Sequence, residues 1–325
     1  MRYRRRPRVY ASLIHRRERG LELRKPLRFP SSFPNIFIFK RTFTFMFMYL
    51  ILILGALAFS SSTLFEKIVL KNKNVKITSY FVGVFLSAII VMLPFLFFFG
   101  KIDSQAFSFK NLIILFFVVL LSIVANLFYF YALKWEKVTV IEPVLLLEPL
   151  FIVLLAFIFF KSERNFMILI PSLIATLTLI FSHLKKYHLQ FNKFLVAGIF
   201  SSLFFAIELL ISNLILDYYS PLSLYFVRGF FVFLFSALIF RPTLSKELNK
   251  KERSLIFLTG GLWVIYRIIL YFGYSNWGVI FTTLILMLAP IFVYLFAFLF
   301  LKEKLTKRNI IAMIIILACV IFATQ

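Results

Sequence analysis

The chain has 325 residues, 62% of them hydrophobic and only 15% charged, whereas a soluble domain is about half apolar and a quarter charged. That balance excludes a water-solvated globular domain and suits a bilayer. The net charge of +24 would point to nucleic acid on a soluble protein. Here lysine and arginine flank apolar runs, as they do beside membrane helices, so no nucleic-acid partner is expected.

Residues 1–41 differ from the rest. They hold 11 of the 17 arginines and two lysines, Lys25 and Lys40, whereas after residue 41 lysine outnumbers arginine 18 to 6. Two readings stand: a start assigned too early, with Met46 or Met48 as the true one, or a basic tail lying on anionic headgroups. The segment has no 3.6-residue apolar stripe and is expected to be disordered. It also lacks the cleavage-like site of a signal peptide.

From there polar clusters cut the chain into apolar runs of about 20 residues, the length that crosses the hydrocarbon core as a helix. The runs do not alternate, so barrel strands are disfavoured. Helices are expected near 43–66, 78–99, 111–133, 139–160, 166–183, 194–216, 221–240, 254–275, 278–301 and 307–324. Shifting the chain by 141 residues superposes the first five on the last five without a gap. It pairs Val138, Pro149, Ala156 and Lys161 with Val279, Pro290, Ala297 and Lys302, and Ala56, Phe59, Ser60 and Ser61 with Ala197, Phe200, Ser201 and Ser202. Because five is odd, the second repeat enters from the opposite side. The expected fold is therefore all-α integral membrane, ten transmembrane helices as two inverted five-helix repeats (42–183 and 184–325) behind the tail 1–41. Secondary transporters recur on this plan, with the substrate at the midplane between the halves.

The segments YALKWEKVTVIEPVLLLEPLFIVLLAFIFFKSER (131–164) and APIFVYLFAFLFLKEKLTKRNIIAMIIILACVIFA (289–323) each carry a mid-helix proline, a small residue seven on, and an acidic-basic cluster before a closing helix. In this the chain resembles the drug/metabolite transporter superfamily, in particular its EamA-type members, over about residues 48–324. Glu163 and Glu303 resemble the family's glutamate after the fourth and ninth helices. SPLSLYFVRGF (220–230) is similar to its seventh-helix start, with Arg228 at a commonly basic position; the first-repeat equivalent, Ser87, departs from that pattern. The resemblance implies movement of small metabolites, often coupled to protons or by exchange. It also implies that helix 7 serves packing and scaffold.

Ionisable groups inside a bilayer are costly and are functional candidates by default. Four lie well inside the expected helices: Glu148, Glu208, Arg228 and Arg267. For Arg228 a structural ion pair is favoured. Arg267 shares a helix face with Trp263 and Tyr271, and its planar fork suits a carboxylate or phosphate. The repeat sets Asn126 opposite it, beside Tyr129 and Phe130. The expected substrate-binding residues are thus Arg267, Asn126, Tyr271, Trp263 and Tyr129. Glu148, preceding Pro149, is a candidate for the coupling proton or for pairing with Arg267. Glu208, at the position matching Lys67, could form a gate with it, or both could be unrelated interfacial residues. Glu142, before Pro143, reads as a helix-start residue favoured by the helix dipole. The serines of 59–63 and 200–202 read first as close helix packing and second as pocket lining.

The single cysteine, Cys319, cannot form an internal disulfide, and His15, His183 and His188 have no metal-ligand spacing. No phosphate loop or nucleophile elbow occurs. No catalytic residue, metal or cofactor is expected, and an enzyme ranks last. Orientation stays open. With the N-terminus inside, outside loops hold 18 basic residues against 4 inside, or 17 inside once the tail's 13 are added; if the tail is translated, the N-terminus is expected inside. The leading expectation is a multi-pass secondary transporter of a small organic solute in the cell membrane, gradient- or exchange-driven, surrounded by membrane lipid, with a homodimer left open. A lipid or lipid-linked substrate translocase and a non-transporting scaffold are the alternatives.

Overall fold

A computed structural model describes residues 34–135, 144, 145, 147–183, 192–242, 248–292, 295, 296 and 307–323. The chain divides into two compact units, Met1–Met46 and Phe47–Gln325, and the helical bundle and its cavity belong to the second. Among the described residues the structure is all-helical: α1 Pro34–Leu70, α2 Ile77–Phe99, α3 Phe109–Trp135, α4 Leu147–Phe159, α5 Phe166–His183, α6 Lys193–Asn213, α7 Pro221–Phe240, α8 Lys250–Trp277, α9 Val279–Leu286 and α10 Lys307–Ala323. Six of these are long and apolar enough to cross a membrane, α1 by its Met48–Leu70 part together with α2, α3, α6, α7 and α8. The segments Leu147–Phe159, Phe166–Thr178, Val279–Phe292 and Ile310–Ala323 are shorter apolar helices. The chain is a multi-pass membrane protein.

Local signals explain the boundaries. Ser220 caps α7 by accepting from Ser223 N, with Pro221 at the first helical position, where its missing N–H costs nothing. Asn249 and Glu252 form a reciprocal capping box at the start of α8. Asn192 caps α6 by accepting from Phe194 N and Leu195 N. One expectation needs correcting. The tail was to be irregular as far as residue 41, yet α1 begins at Pro34. Proline presets the helical φ at a first turn, and no glycine or further proline interrupts the run from Asn35 to Tyr49. The other end of α1 also extends past expectation, from 66 to Leu70.

The two prolines shared by the repeats behave differently. Pro149 lies in the first turn of α4, where proline is tolerated; the expected start of that helix at 139–143, with Glu142, lies outside the described residues. In the second repeat the helix stops at Leu286 and a turn at Met287–Leu288 precedes Pro290. Ser60 Oγ of α1 donates to Ala289 O at 2.8 Å, just past that break. On the other side of the bundle Ser202 Oγ of α6 donates to Val144 O at 3.0 Å, just before α4. A serine on the first helix of each repeat thus bonds a carbonyl on the N-terminal side of the shared proline of the other repeat.

Packing follows the repeat. Equivalent helices meet each other: α2 with α7, α4 with α9 and α5 with α10. Further contacts cross the repeats, α3 running along α6, α4 against α6 and α2 against α8, and α1 meets α8 through Phe59 and Tyr266, ring centroids 4.8 Å apart, while neighbours such as α2 and α3 or α7 and α8 touch within a repeat. The α2–α8 contact is close because Gly260 leaves room: a Cβ there would meet Ser87 Cβ at 2.7 Å and Ala88 N at 2.9 Å. Links between helices are tied across repeats too. The α1–α2 link reaches α8 through Asn72 Nδ2, which donates to Glu252 Oε1 at 2.6 Å. The α2–α3 link pairs with the α6–α7 link, Asp103 N donating to Tyr218 O and Ser220 N to Lys101 O, both at 2.8 Å.

Candidate functional site

Where the repeats meet, a cavity of about 130 Å³ is walled by Phe59 and Thr63 of α1, Tyr129 of α3, Glu148, Pro149 and Ile152 of α4 and Phe205 of α6. Trp263, Tyr266, Arg267, Leu270 and Tyr274 of α8 face it, and Thr283, Leu286, Met287, Ala289 and Pro290 line the side of the broken helix. Its walls are mostly aromatic and aliphatic with few polar groups, the make-up of a site for a small organic ligand.

Three charged groups form a buried chain beside it. Glu208 of α6 is fully buried, and Arg228 and Arg267 nearly so. Arg228 Nε lies 2.8 Å from Glu208 Oε1; its Nη2 donates to Ser122 Oγ at 2.7 Å, and Ser212 Oγ donates to the same carboxylate at 3.1 Å. A buried ion pair of this kind repays its desolvation only with such extra hydrogen bonds. Arg228 and Glu208 do not line the cavity. Arg267 does, and it is held more loosely. Its Nη1 is 3.5 Å from Glu208 Oε2, beyond a good hydrogen bond, and neither Nε nor Nη1 has a hydrogen-bond partner among the described residues. Aromatic rings surround the guanidinium, at 5.5 Å for Trp263, 5.7 Å for Phe205 and 6.0 Å for Tyr266. These faces attract a cation without using its N–H groups. Glu148 lies on the α4 side, within electrostatic reach of Arg267 and with no hydrogen-bond partner among the described residues.

Of the residues singled out in the sequence, Arg267, Trp263, Tyr129 and Glu148 come together in the cavity wall. Asn126 does not. Its amide is turned onto its own helix, donating to Ser122 O at 2.7 Å. Tyr271 is also buried elsewhere, edge-on to Tyr225 of α7 at 6.5 Å between centroids. The reason is helical geometry. Four residues overshoot a full turn by about 40°, so Trp263 and Arg267 share the cavity face while Tyr271, eight on from Trp263, has rotated about 80° toward α7. Lys67 donates to Leu133 O at 2.7 Å, while Glu208 is occupied by the two arginines. Lys302 and Glu303 lie outside the described residues. Glu163, after α4, accepts from Val279 N at 2.7 Å and Ile280 N at 3.0 Å, so it caps α9 of the other repeat.

One residue escaped sequence reasoning. Glu66 of α1 is fully buried; Tyr129 Oη donates to its Oε2 and Trp263 Nε1 to its Oε1, each at 2.6 Å. It is the last residue of an expected helix, next to Lys67, and nothing in the apolar pattern singles it out. A signal was present. Buried indole and phenol groups need hydrogen-bond partners, and the two aromatic donors assigned to the pocket had no acceptor until α1 supplied one.

The profile of the EamA-like transporter family matches the chain twice, over residues 46–184 and 192–325. No curated protein sequence matches it. Among solved structures, one described as "Crystal structure of protein" superposes with a TM-score of 0.67, covering 84% of this chain and 96% of its own at 15% identity, a likeness of fold alone.

Proposed function

Because the chain belongs to the EamA-like transporter family, we propose that it is a secondary transporter, not an enzyme, for a small organic solute that carries a carboxylate on an apolar body. Its two repeats act as inverted halves of a ten-helix transmembrane bundle in the cell membrane and expose the central cavity alternately to either side, driven by an ion gradient or by exchange. The observation that carries the reading is Arg267: a buried cation on the cavity wall, ringed by three aromatic faces, with Nε and Nη1 making no hydrogen bond among the described residues. Unfilled buried donors are costly, and a carboxylate is the group that fits a guanidinium fork. In the empty cavity Glu148 offsets the charge of Arg267; the solute's carboxylate takes over that role. Glu208 holds Arg267 from behind and locks Arg228, so that pair serves as the fixed footing of the site.

The test is thermal unfolding of the purified protein against a panel of amino acids, nucleotides, sugars, organic cations and lipid phosphates, followed by uptake into proteoliposomes. A ligand of the folded state raises the melting temperature. A soluble carboxylate is expected to stabilise the wild type, and Arg267→Ala to weaken it by the loss of one charge-assisted pair, about 1.5–3 kcal/mol, or some tenfold to more than a hundredfold. Undiminished uptake by the variant removes Arg267 from the site. Stabilisation by lipid phosphates alone turns the reading toward lipid translocation.

A further inference from the structure

We propose that Glu66 is a proton-binding site, and that its proton sets whether the cavity wall at Tyr129 offers a hydrogen-bond acceptor or a donor. The inference deepens the transporter reading by naming a coupling ion and the place where it acts. It starts from three residues. The Glu66 carboxyl is wholly buried and has both oxygens engaged at 2.6 Å. No cation pairs with it among the described residues. Lys67, its neighbour in sequence, points to Leu133 O, and Arg267 is one turn on from Trp263, nearest to Glu208. The groups facing Glu66 are Tyr80 from α2, Tyr129 from α3 and Trp263 from α8, all uncharged in ordinary conditions. A carboxyl so placed can be neutralised only by a proton.

The chemistry of the two partners fixes where that proton goes. An indole N–H can donate but never accept, so Oε1, facing Trp263, must stay an acceptor. A proton can sit only on Oε2, facing Tyr129. A phenol both donates and accepts. With Glu66 ionised, Tyr129 gives its hydrogen to Oε2 and turns oxygen lone pairs toward its surroundings. With Glu66 protonated, the carboxyl O–H donates to the Tyr129 oxygen, and the phenol hydrogen swings away. Tyr129 is in the cavity wall beside Thr63, and the Thr63 hydroxyl is committed as donor to Phe59 O at 3.0 Å. The released hydrogen therefore meets Thr63 as an acceptor or a solute in the cavity. No covalent bond changes except the proton's own. An acceptor-bearing solute gains a donor when Glu66 is protonated, and by linkage the solute in turn tightens the proton.

The experiment is infrared difference spectroscopy of the full, solute-free protein in liposomes across a pH titration, so its outcome is independent of whether a transported solute exists. A carboxyl C=O band is expected to grow on acidification, to vanish in Glu66→Gln and to persist in Glu148→Gln. A tyrosine C–O band should change with it in the wild type and be lost in Tyr129→Phe. In that variant the carboxyl band should rise in frequency, since its hydrogen-bond partner is gone. The glutamine side chain mimics the protonated state, its N–H₂ facing Tyr129. Should Glu66→Gln fail to fold, the frequency shift in Tyr129→Phe decides alone. A titrating band that survives Glu66→Gln, or a band unmoved by Tyr129→Phe, overturns the proposal.

Discussion

The glutamate that follows α4 in the first repeat caps α9 of the second, and the strength of that contact can be worked out. Glu163 accepts from Val279 N and Ile280 N, two of the four N–H groups that the start of α9 leaves without intrahelical partners. Removing a capping side chain costs about 0.5–2 kcal/mol, and losing a negative charge from a helix N-terminus adds about 0.3–1 kcal/mol. Glu163 is half-exposed, so water recovers part of this. Glu163→Ala is therefore expected to cost about 1–2 kcal/mol. Gly278 makes the approach possible: its φ is +90°, and a Cβ there would stand 2.8 Å from Glu163 Oε1. Gly278→Ala then costs about 1–3 kcal/mol for the backbone conformation and also displaces the carboxylate. The assay is reversible unfolding in mixed micelles followed by the fluorescence of Trp277, next to the cap. Because part of the glycine effect acts through Glu163, the double variant should cost less than the sum of the singles by about 0.5–1 kcal/mol. Additivity within about 0.3 kcal/mol, or no effect of Glu163→Ala, refutes the cap.

Two further outcomes follow from the bundle. Glu208→Leu strands Arg228 as a buried, uncompensated cation, expected to cost about 3–5 kcal/mol and visible as loss of folded protein on size-exclusion chromatography; Glu208→Leu with Arg228→Leu should recover most of it. Gly260→Ala places a Cβ 2.7 Å from Ser87 Cβ and should cost about 1–3 kcal/mol by overpacking, read as a lower unfolding midpoint; a midpoint equal to the wild type would mean that α2 and α8 are not in close contact.

Much of this architecture was legible in the sequence because membrane helices and repeats leave coarse, redundant signals. The apolar runs anticipate the ends of α2, α3, α5, α7 and α10 to within two residues, while α1, α8 and α9 depart further, and the repeat seen at a fixed offset corresponds to the two spans of the family profile. The cavity was legible in part. Arg267, Trp263, Glu148 and Tyr129 could be named because a charge or a polar aromatic inside an apolar run stands out. What sequence could not supply was rotation and depth. Tyr271 and Arg267 looked equivalent at a spacing of four, yet accumulated twist sends the tyrosine to Tyr225. Asn126 matched Arg267 by repeat offset, but an asparagine can satisfy itself on its own helix, as its bond to Ser122 O does. Glu66 was hidden by four residues: a helix ending at 66 leaves it at the interface, and one ending at Leu70 carries it inside.

Trp263 and Arg267 are one turn apart on α8, and each grips an acid from the opening helix of a different repeat: Glu66 of α1 and Glu208 of α6. A slide of α8 along its axis by one residue's rise, about 1.5 Å, would stretch both grips in the same stroke. The two halves of the molecule are thus read by a single rod. Between the two residues the sequence WVIYR offers neither glycine nor proline at which α8 could kink.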